Sequence, residues 1–164
     1  MTAIDWRWAR FEPLGVHDLY DALALRCRVF ILEQGPYQDP DGLDAHSWHL
    51  LGRAGAGGPL VAYLRVVDAG HKFAEPSIGR VVTAPEVRGS GVGLALMREG
   101  LARCALAWPG QGIRISAQAR LQRFYESLGF QRQGGEYLED DIPHVEMLHA
   151  GRLDVPAFPG SPSP

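Results

Sequence analysis

A glycine-rich loop is the part of the sequence whose residue types and spacing most directly suggest chemistry. An apolar run at residues 78–83 leads into a polar loop and then into a helical pattern, and the loop carries Gly89, Gly91 and Gly93. Glycine permits positive φ and lets the backbone approach a ligand closely. N–H groups at a helix start have no intrahelical acceptor, and the helix dipole favours an anion there. With Arg88 as a charged donor beside it, the loop is suited to bind a diphosphate.

Other interpretations of this loop differ in the spacing they require. A Walker A loop ends in Gly-Lys-Ser/Thr, whereas Gly93 is followed here by Leu94 and Ala95, so that interpretation fails. A dinucleotide-binding loop needs G-x-G-x-x-G early in a βαβ unit, but the spacing here is G-x-G-x-G and it follows a predicted hairpin. A glycine-rich turn that binds nothing is the remaining alternative, and three glycines alone favour it.

A second motif follows after a further predicted helix and strand. The run Arg123-Phe124-Tyr125-Glu126-Ser127-Leu128-Gly129-Phe130 has the form F-Y-x-x-x-G-F. Together with Arg88-x-x-Gly91-x-Gly93, it resembles the acyl-coenzyme A signature of the GNAT N-acetyltransferases. Segments that resemble the ElaA-like branch of this superfamily are residues 25–34, 36–39, 41–42, 108–109, 117–122 and 141–144. The resemblance spans residues 6–149.

The resemblance implies how an acyl-coenzyme A would be bound. In the family, two neighbouring parallel strands splay apart and open a cleft; here they correspond to the strands predicted at 78–83 and 113–117. The pantetheine arm pairs with the backbone of the first strand, at the positions of Val81, Val82 and Thr83. Many members place an asparagine after the second strand, where this chain has Gln118. The pyrophosphate is expected on the N–H groups of Gly89, Ser90, Gly91, Val92, Gly93 and Leu94.

The resemblance also implies a reaction, in which a neutral amine attacks the thioester of acetyl-CoA in a ternary complex. Tyr125 matches the family's general acid, which protonates the departing thiolate; the alternative is a core tyrosine with a satisfied hydroxyl. The amine must lose a proton, and Glu33 and His144 are candidate bases. A solvated helix-end charge and a strand-edge packing residue are the alternatives for these two. A non-catalytic acyl-CoA sensor of the same fold is the alternative function.

Other polar groups suggest metal binding only weakly. Asp39, Asp41 and Asp44 hint at a calcium loop, but Leu50 stands at the twelfth position, where an EF-hand needs glutamate. His46 and His49 have no matching third ligand, so no metal site is predicted. These aspartates and the acidic run at residues 139–141 could attract a cationic amine, although solvated turn charges explain them equally well.

The elements that must position these residues follow from hydrophobic periodicity. Strands are predicted at 6–11, 47–53, 60–68, 78–83, 113–117, 133–138 and 144–149. Helices are predicted from about residue 18 to 34, from 91 to 108 and at 121–128, the first with a buried face of Leu19, Leu23, Cys27, Phe30 and Ile31. This order predicts an α/β fold with one mixed sheet and helices on both faces. The resemblance to GNAT proteins implies in addition that the sheet is mostly antiparallel and splays between two parallel strands.

Composition excludes several classes of protein. The 164 residues predict one acyltransferase domain at 1–149, followed by a proline-rich tail at 150–164. A net charge of −3 with scattered arginines argues against a nucleic-acid binder. The sequence contains no apolar run long enough to cross a membrane. Cys27 and Cys104, both expected to be buried, favour a reducing compartment, and the protein is expected in the cytoplasm as a monomer or homodimer. The acyl acceptor would be a small molecule or a peptide amine.

Overall fold

The computed structural model describes residues 3–151 and contains the elements expected from the sequence. Its strands are β1 (Ile4–Arg10), β2 (Ser47–Ala54), β3 (Leu60–Val67), β4 (Ser77–Thr83), β5 (Ile113–Gln118), β6 (Phe130–Glu139) and β7 (Ile142–His149). Its helices are α1 (Phe11–Leu14), α2 (Val16–Arg26), α3 (Val92–Ala107) and α4 (Gln122–Glu126), and a π-helical turn at Cys27–Ile31 continues α2. The predicted tail lies outside the described residues from position 152 on, so the domain boundary at 149 stays a prediction.

The strands form one mixed sheet in the order β1-β2-β3-β4-β5-β7-β6. Every neighbouring pair is antiparallel except β4 and β5, which are parallel. These two strands pair only at Ser77 and Arg114, at one end of β4. Beyond that point β4 and β5 are no longer paired with each other, although β4 stays paired with β3 and β5 with β7. The predicted fold class is therefore confirmed, including the splayed parallel pair.

Two hydrophobic clusters place helices on both faces of the sheet. One contains α3 and α4, through buried residues such as Leu96, Met97 and Tyr125. The other contains α2 and the π-helical turn, through Leu25 and Phe30. Because β4 contributes to both clusters, each side of the cleft beside it is supported by a packed core.

The buried face predicted for the first helix is only partly correct: Phe30 is buried as expected, but the rest of the buried face is rotated about the helix axis. Instead of Leu19, Leu23 and Cys27, the residues buried from α2 onwards are Ala22, Leu25, Arg26, Val29 and Phe30. The prediction treated arginine as a solvent-facing residue, but the side chain of Arg26 is fully buried in ion pairs with Asp39 and Asp44. Cys27 is exposed as a result, whereas Cys104 is buried as expected.

Smaller corrections concern element ends. Phe11 begins α1 and does not end β1, and its neighbour Arg10 keeps extended backbone angles. The last hairpin is longer than expected, because β6 starts at Phe130 and accommodates a register shift between Gln133 and Tyr137. The hairpin turn at Asp140 and Asp141 uses positive φ angles of 49° and 61°, which aspartate tolerates better than most residues.

Candidate active site

The glycine loop connects β4 to α3 and presents backbone donors to solvent. Gly91 caps the helix in the left-handed region, with φ of 87°, and Gly89 also has a positive φ of 77°. The first hydrogen bond of this helix turn runs from Ala95 N to Gly91 O, at 3.0 Å. The N–H groups of Val92, Gly93 and Leu94 therefore have no acceptor within the helix.

No side chain blocks this corner of the molecule. A Cβ added at Gly89 or at Gly91 would meet no atom within 4 Å, and one at Gly93 would meet only the Thr83 methyl group, at 4.0 Å. The hydroxyl of Ser90 turns back to the carbonyl of Val87. The loop therefore has the open space and the free amides that a diphosphate requires.

Strand β4 carries a bulge next to the loop. Gly79 pairs with Arg65 and Val82 pairs with Tyr63, so Arg80 and Val81 lie opposite a single residue of β3. Arg80 has a φ of 50° there, which is unfavourable for a residue with a side chain. Its guanidinium donates to Asp39, at 2.8 Å to the carboxylate and 2.9 Å to the carbonyl, and these bonds offset the strain.

The splay of β4 from β5 opens a cleft with two connected parts. The first part, which we call the loop-side groove, lies next to the glycine loop, and its lining includes Glu33, Val82, Thr83 and Arg88. The second part, which we call the inner cleft, has a lining that includes Lys72, Arg80, Tyr125, Glu139 and His144. The residues that border both parts are Phe30, Gln34, Val81, Gln118 and Leu121.

Tyr125 lies in α4 at the wall of the inner cleft. Its side chain packs edge-on against the rings of Phe124 and Phe130, with centroids 5.2 and 5.8 Å away, and only 7 % of the residue is exposed. Within residues 3–151 its hydroxyl makes no hydrogen bond, so the alternative of a core tyrosine with a satisfied hydroxyl finds no support. Burial raises the pKa of the Tyr125 hydroxyl to about 12, so the group holds its proton at neutral pH.

His144 begins the second half of the last hairpin and also lines the inner cleft. Its Nδ1 lies 2.7 Å from the carbonyl oxygen of Ile142, which can only accept, so Nδ1 carries a proton. Its Nε2 lies 3.4 Å from the carboxylate of Glu139, which also accepts a hydrogen bond from Ser116 at 2.9 Å. The structure therefore places one candidate base in the same chamber as Tyr125, with its second ring nitrogen beside a carboxylate.

Glu33 occupies a different position. It follows the π-helical turn and lines the loop-side groove, where its carboxylate accepts hydrogen bonds from Arg88 at 3.0 and 3.1 Å. Gln118, at the end of β5, lies between the two parts of the cleft, and its side-chain amide donates to Gln34 at 3.2 Å. The two base candidates of the sequence are thus in separate chambers.

Comparisons with known proteins agree with this geometry. A family model described as an acetyltransferase (GNAT) domain matches residues 48–149, which is more than half of the chain. The chain belongs to the GNAT acetyltransferase family. Its relatives include Protein ElaA of Escherichia coli K12, 41% identical over 147 residues that cover 88% of this chain and 95% of ElaA. The predicted family and its ElaA-like branch are therefore confirmed.

Solved GNAT structures share the whole fold. The crystal structure of an acyl-CoA N-acyltransferase from Pseudomonas aeruginosa is 40% identical, with a TM-score of 0.84 over 90% of this chain and 100% of that chain. The crystal structure of Escherichia coli ElaA is 39% identical, with a TM-score of 0.82 over 90% of this chain and 99% of that chain. These relatives place the two chambers described above within a GNAT acetyltransferase fold.

The GNAT cleft is braced by a charge network that the sequence did not indicate. Three arginines contact the aspartates of the loop after α2: Arg26 pairs with Asp39 and Asp44, Arg65 with Asp41 and Asp44, and Arg80 with Asp39 and Asp41. Arg26 and Arg65 are almost fully buried. Hydrogen bonds from Arg65, with its positive charge, outweigh desolvation and hold the pKa of Asp41 well below its usual range.

The network changes the interpretation of the acidic loop. These aspartates are partners of buried arginines and not solvated turn charges, because three carboxylates balance three guanidinium groups at 2.5–3.3 Å. The sequence signal that could have identified it is Arg26 on the apolar side of a helix. Within residues 3–151, no group of three or more His, Cys, Asp or Glu side chains is arranged to hold a metal ion. None of the helices described here has the length and apolarity to cross a membrane.

Proposed function

We propose that this GNAT protein transfers an acetyl group from acetyl-CoA to a primary amine, with Tyr125 as the general acid. The observation that carries the proposal is the Tyr125 hydroxyl: it lines the inner cleft and has no hydrogen-bond partner among the described residues. It is open to the cleft, because Arg65 Nε is the only described side-chain polar atom that is both fully buried and without a partner.

The chain has the groups that binding of acetyl-CoA requires. The open amides of Gly89 and of residues 91–94 would hold the diphosphate, and the positive end of α3 would stabilise its charge. The N–H of Ser90 already donates to the Val87 carbonyl at 3.3 Å and would have to leave it to join them. Val81, Val82 and Thr83 lie on the stretch of β4 that β5 does not pair, so backbone groups on that side are available to the pantetheine amides. Gln118 borders both chambers and could contact the same arm. This arrangement supports a thioester held at the junction of the two chambers.

The proposed acid must give its proton to a departing thiolate. The pKa of Tyr125, about 12, lies above the value of about 8.5 for an ordinary thiol. Transfer would be uphill in water, but the leaving thiolate is desolvated in the same cleft, which raises its pKa as well. Burial therefore keeps the proton on Tyr125 until negative charge develops on sulfur.

His144 is the better supported base of the two candidates. It shares the inner cleft with Tyr125, and its Nε2 can take a proton because Nδ1 already donates to the Ile142 carbonyl. Glu33 faces the loop-side groove and is neutralised by Arg88. We assign Glu33 to holding Arg88 beside the glycine loop until the coenzyme replaces it, and His144 to the acceptor side.

The acceptor is a cationic amine in this proposal. The arginines that line the inner cleft are balanced by aspartates, whereas Glu139 and Asp140 add negative charge at its edge. These carboxylates would attract an ammonium group to the edge of the cleft, where His144 would take its proton before attack.

The decisive experiment is to incubate the protein with acetyl-CoA and pools of small amines, polyamines and peptides, and to measure free thiol. Thiol release that depends on an amine, with acetylated amine as product, is the expected result. If coenzyme A stabilises the protein in a thermal shift and no thiol is released with any pool, the protein is a sensor of acyl-CoA and not an acetyltransferase. Absence of a thermal shift at millimolar coenzyme would refute binding as well.

A further inference from the structure

The sequence contains a single lysine, and that lysine lies in the inner cleft. The 16 basic residues are 15 arginines and Lys72. Lys72 belongs to the connection between β3 and β4. The residue is exposed along its main chain, but its side chain keeps only 27 % of its surface exposed and lines the same chamber as Tyr125 and His144.

The surroundings of Lys72 differ from those of the cleft arginines. Arg65 and Arg80 each have carboxylate oxygens within 2.5–2.8 Å. The carboxylate nearest to Lys72 Nζ is that of Glu139, at 3.9 Å, which is too long for a hydrogen bond. An amine that is inside the cleft and not tightly held by a carboxylate is available as a nucleophile.

The electrostatic surroundings of Lys72 also favour the neutral, nucleophilic form of its amine. Burial lowers the pKa of Lys72, and the positive charges of Arg65 and Arg80 lower it further, against the opposing effect of Glu139 and Asp41. A lower pKa increases the neutral fraction, which is the form that attacks a thioester. The face of the Phe73 ring, 5.7 Å from Nζ, gives the ammonium a weaker partner than a paired carboxylate would.

We propose that this protein acetylates its own Lys72 when acetyl-CoA is bound, an inference that rests on the acetyl transfer proposed above. The neutral Nζ forms a bond to the acetyl carbonyl carbon, and the carbon–sulfur bond breaks. One proton passes from Nζ to the carboxylate of Glu139, and Tyr125 protonates the thiolate. Solvent then returns the proton from Glu139 to the tyrosinate, so one acetyl-lysine and one free coenzyme thiol are formed.

Self-acetylation would change the charge of the inner cleft. An acetylated lysine is neutral, so the carboxylate of Glu139 would lose its positively charged neighbour. The inner cleft would then be more negative, which favours a cationic acceptor over a neutral one. The reaction would also be limited to one acetyl group per chain.

The single lysine makes the test unambiguous. The protein is incubated with acetyl-CoA and no acceptor, and is then unfolded and digested with a lysine-specific endoproteinase. Unmodified chains are cut once, after Lys72, whereas acetylated chains stay intact and gain the mass of one acetyl group. We expect conversion of most chains in the wild type, at a rate per chain that does not depend on protein concentration. Lys72→Arg is expected to gain no acetyl group.

Two controls separate catalysis from spontaneous acetylation. The Tyr125→Phe variant and heat-unfolded wild type are expected to stay largely unmodified under the same conditions. Equal acetylation of Lys72 in either control would overturn the inference, as would complete cleavage of folded wild type after incubation. Thiol release with external amines is measured in parallel. Turnover of an external amine with Lys72 unmodified refutes self-acetylation and leaves the proposed acetyltransferase intact.

Discussion

The carboxylate of Glu33 accepts two hydrogen bonds from the guanidinium of Arg88, at 3.0 and 3.1 Å, and so joins the turn after α2 to the glycine loop before α3. Both side chains are exposed by about two-fifths, at 40 % for Glu33 and 45 % for Arg88. An exposed pair of this kind contributes about 0–1 kcal/mol, so a diphosphate can compete for Arg88. Binding of the coenzyme would therefore replace the carboxylate of Glu33 by the diphosphate as the anionic partner of Arg88.

The variant Glu33→Gln is expected to bind acetyl-CoA more tightly, by about two- to five-fold, because Arg88 is released and a negative charge is removed. Its kcat is expected to stay within about two-fold of the wild type. Calorimetric titration and steady-state kinetics measure the two effects. Glu99→Gln, which breaks the Glu99–Arg103 pair on α3, is the matched control and should change neither. A loss of kcat by about 10²-fold or more would instead identify Glu33 as the base.

Replacement of Tyr125 by phenylalanine is expected to lower kcat by about 10²–10⁴-fold, because it removes the proposed proton donor to the thiolate. Affinity for coenzyme A should change little, because the proposed proton transfer from the hydroxyl acts on charge that develops on sulfur only in the transition state. Tyr137→Phe, which removes a hydroxyl bonded to Ser116, is the control and should keep most of its activity. An unchanged rate in Tyr125→Phe would remove this residue from the mechanism.

His144→Gln is expected to lower kcat/KM for the amine by about 10²-fold or more, with little change in the KM for acetyl-CoA, because the base acts on the acceptor. Glutamine can still donate to the Ile142 carbonyl, so the hairpin should remain folded. The rate should recover in part at higher pH, where more of the amine is already neutral. Equal losses at all pH values, with lower thermal stability, would indicate a structural role only.

A side chain at Gly91 is expected to disturb the helix start and the anion site together. Gly91→Ala places a Cβ in the left-handed region, which costs about 1–2 kcal/mol of the free energy of unfolding, and it should also weaken binding of coenzyme A. Gly110→Ala, at a φ of 72° in the turn after α3, carries similar strain away from the cleft. Denaturant titration should show similar destabilisation in both variants, and coenzyme binding should suffer only in Gly91→Ala. Similar binding in the two variants would contradict a role for this loop.

Truncation of a buried arginine is expected to destabilise the protein much more than the same truncation of an exposed arginine. Arg26→Met removes the buried guanidinium that Asp39 shares with Arg80 and Asp44 shares with Arg65, and is expected to cost about 3–5 kcal/mol of the free energy of unfolding. Arg28→Met removes an exposed pair with Glu86 and should change the free energy of unfolding far less, because solvent screens an exposed ion pair. Urea denaturation of both variants measures the difference. Similar values for the two would show that the network does not stabilise the fold.

The contribution of the Asp41 carboxylate to the free energy of unfolding should be lost at low pH. Its pKa is lowered in the folded protein because hydrogen bonds and charge from Arg65 outweigh desolvation. Stability from a lowered carboxyl pKa is present above the unfolded value of about 3.9 and is lost as pH falls further. Asp41→Asn is therefore expected to be less stable at pH 7 but to lose stability less steeply below about pH 4, by at most about 1.4 kcal/mol per pH unit. Parallel pH profiles for the two proteins would contradict this.

The local features of this protein were set by its sequence. Strand and helix periodicity placed six of the seven strands to within one or two residues of their observed starts, because alternation and helical spacing depend on neighbours in the chain. The glycine loop between β4 and α3 and the run around Tyr125 were recognisable because each motif lies within one short segment. These two motifs also identified the family.

Tertiary structure alone decided which charges meet. Arg26, Arg65 and Arg80 come from a helix and two strands, and their shared aspartates lie in a loop, so their pairing depends on how distant segments fold together. Burial of these pairs also rotated the inward face of α2, since a helix pattern cannot show that an arginine will be satisfied in the core.

The composition of the cleft was decided in the same way. Lys72 comes from the loop after β3 and Glu139 from the end of β6, and the chain between them contains both motifs. They come within 3.9 Å of each other in the sheet order β5-β7-β6, in which Glu139 at the end of β6 also reaches Ser116 of β5. Side-chain types in a sequence show which chemistry is available, but the order of strands in the sheet determines which groups share one chamber.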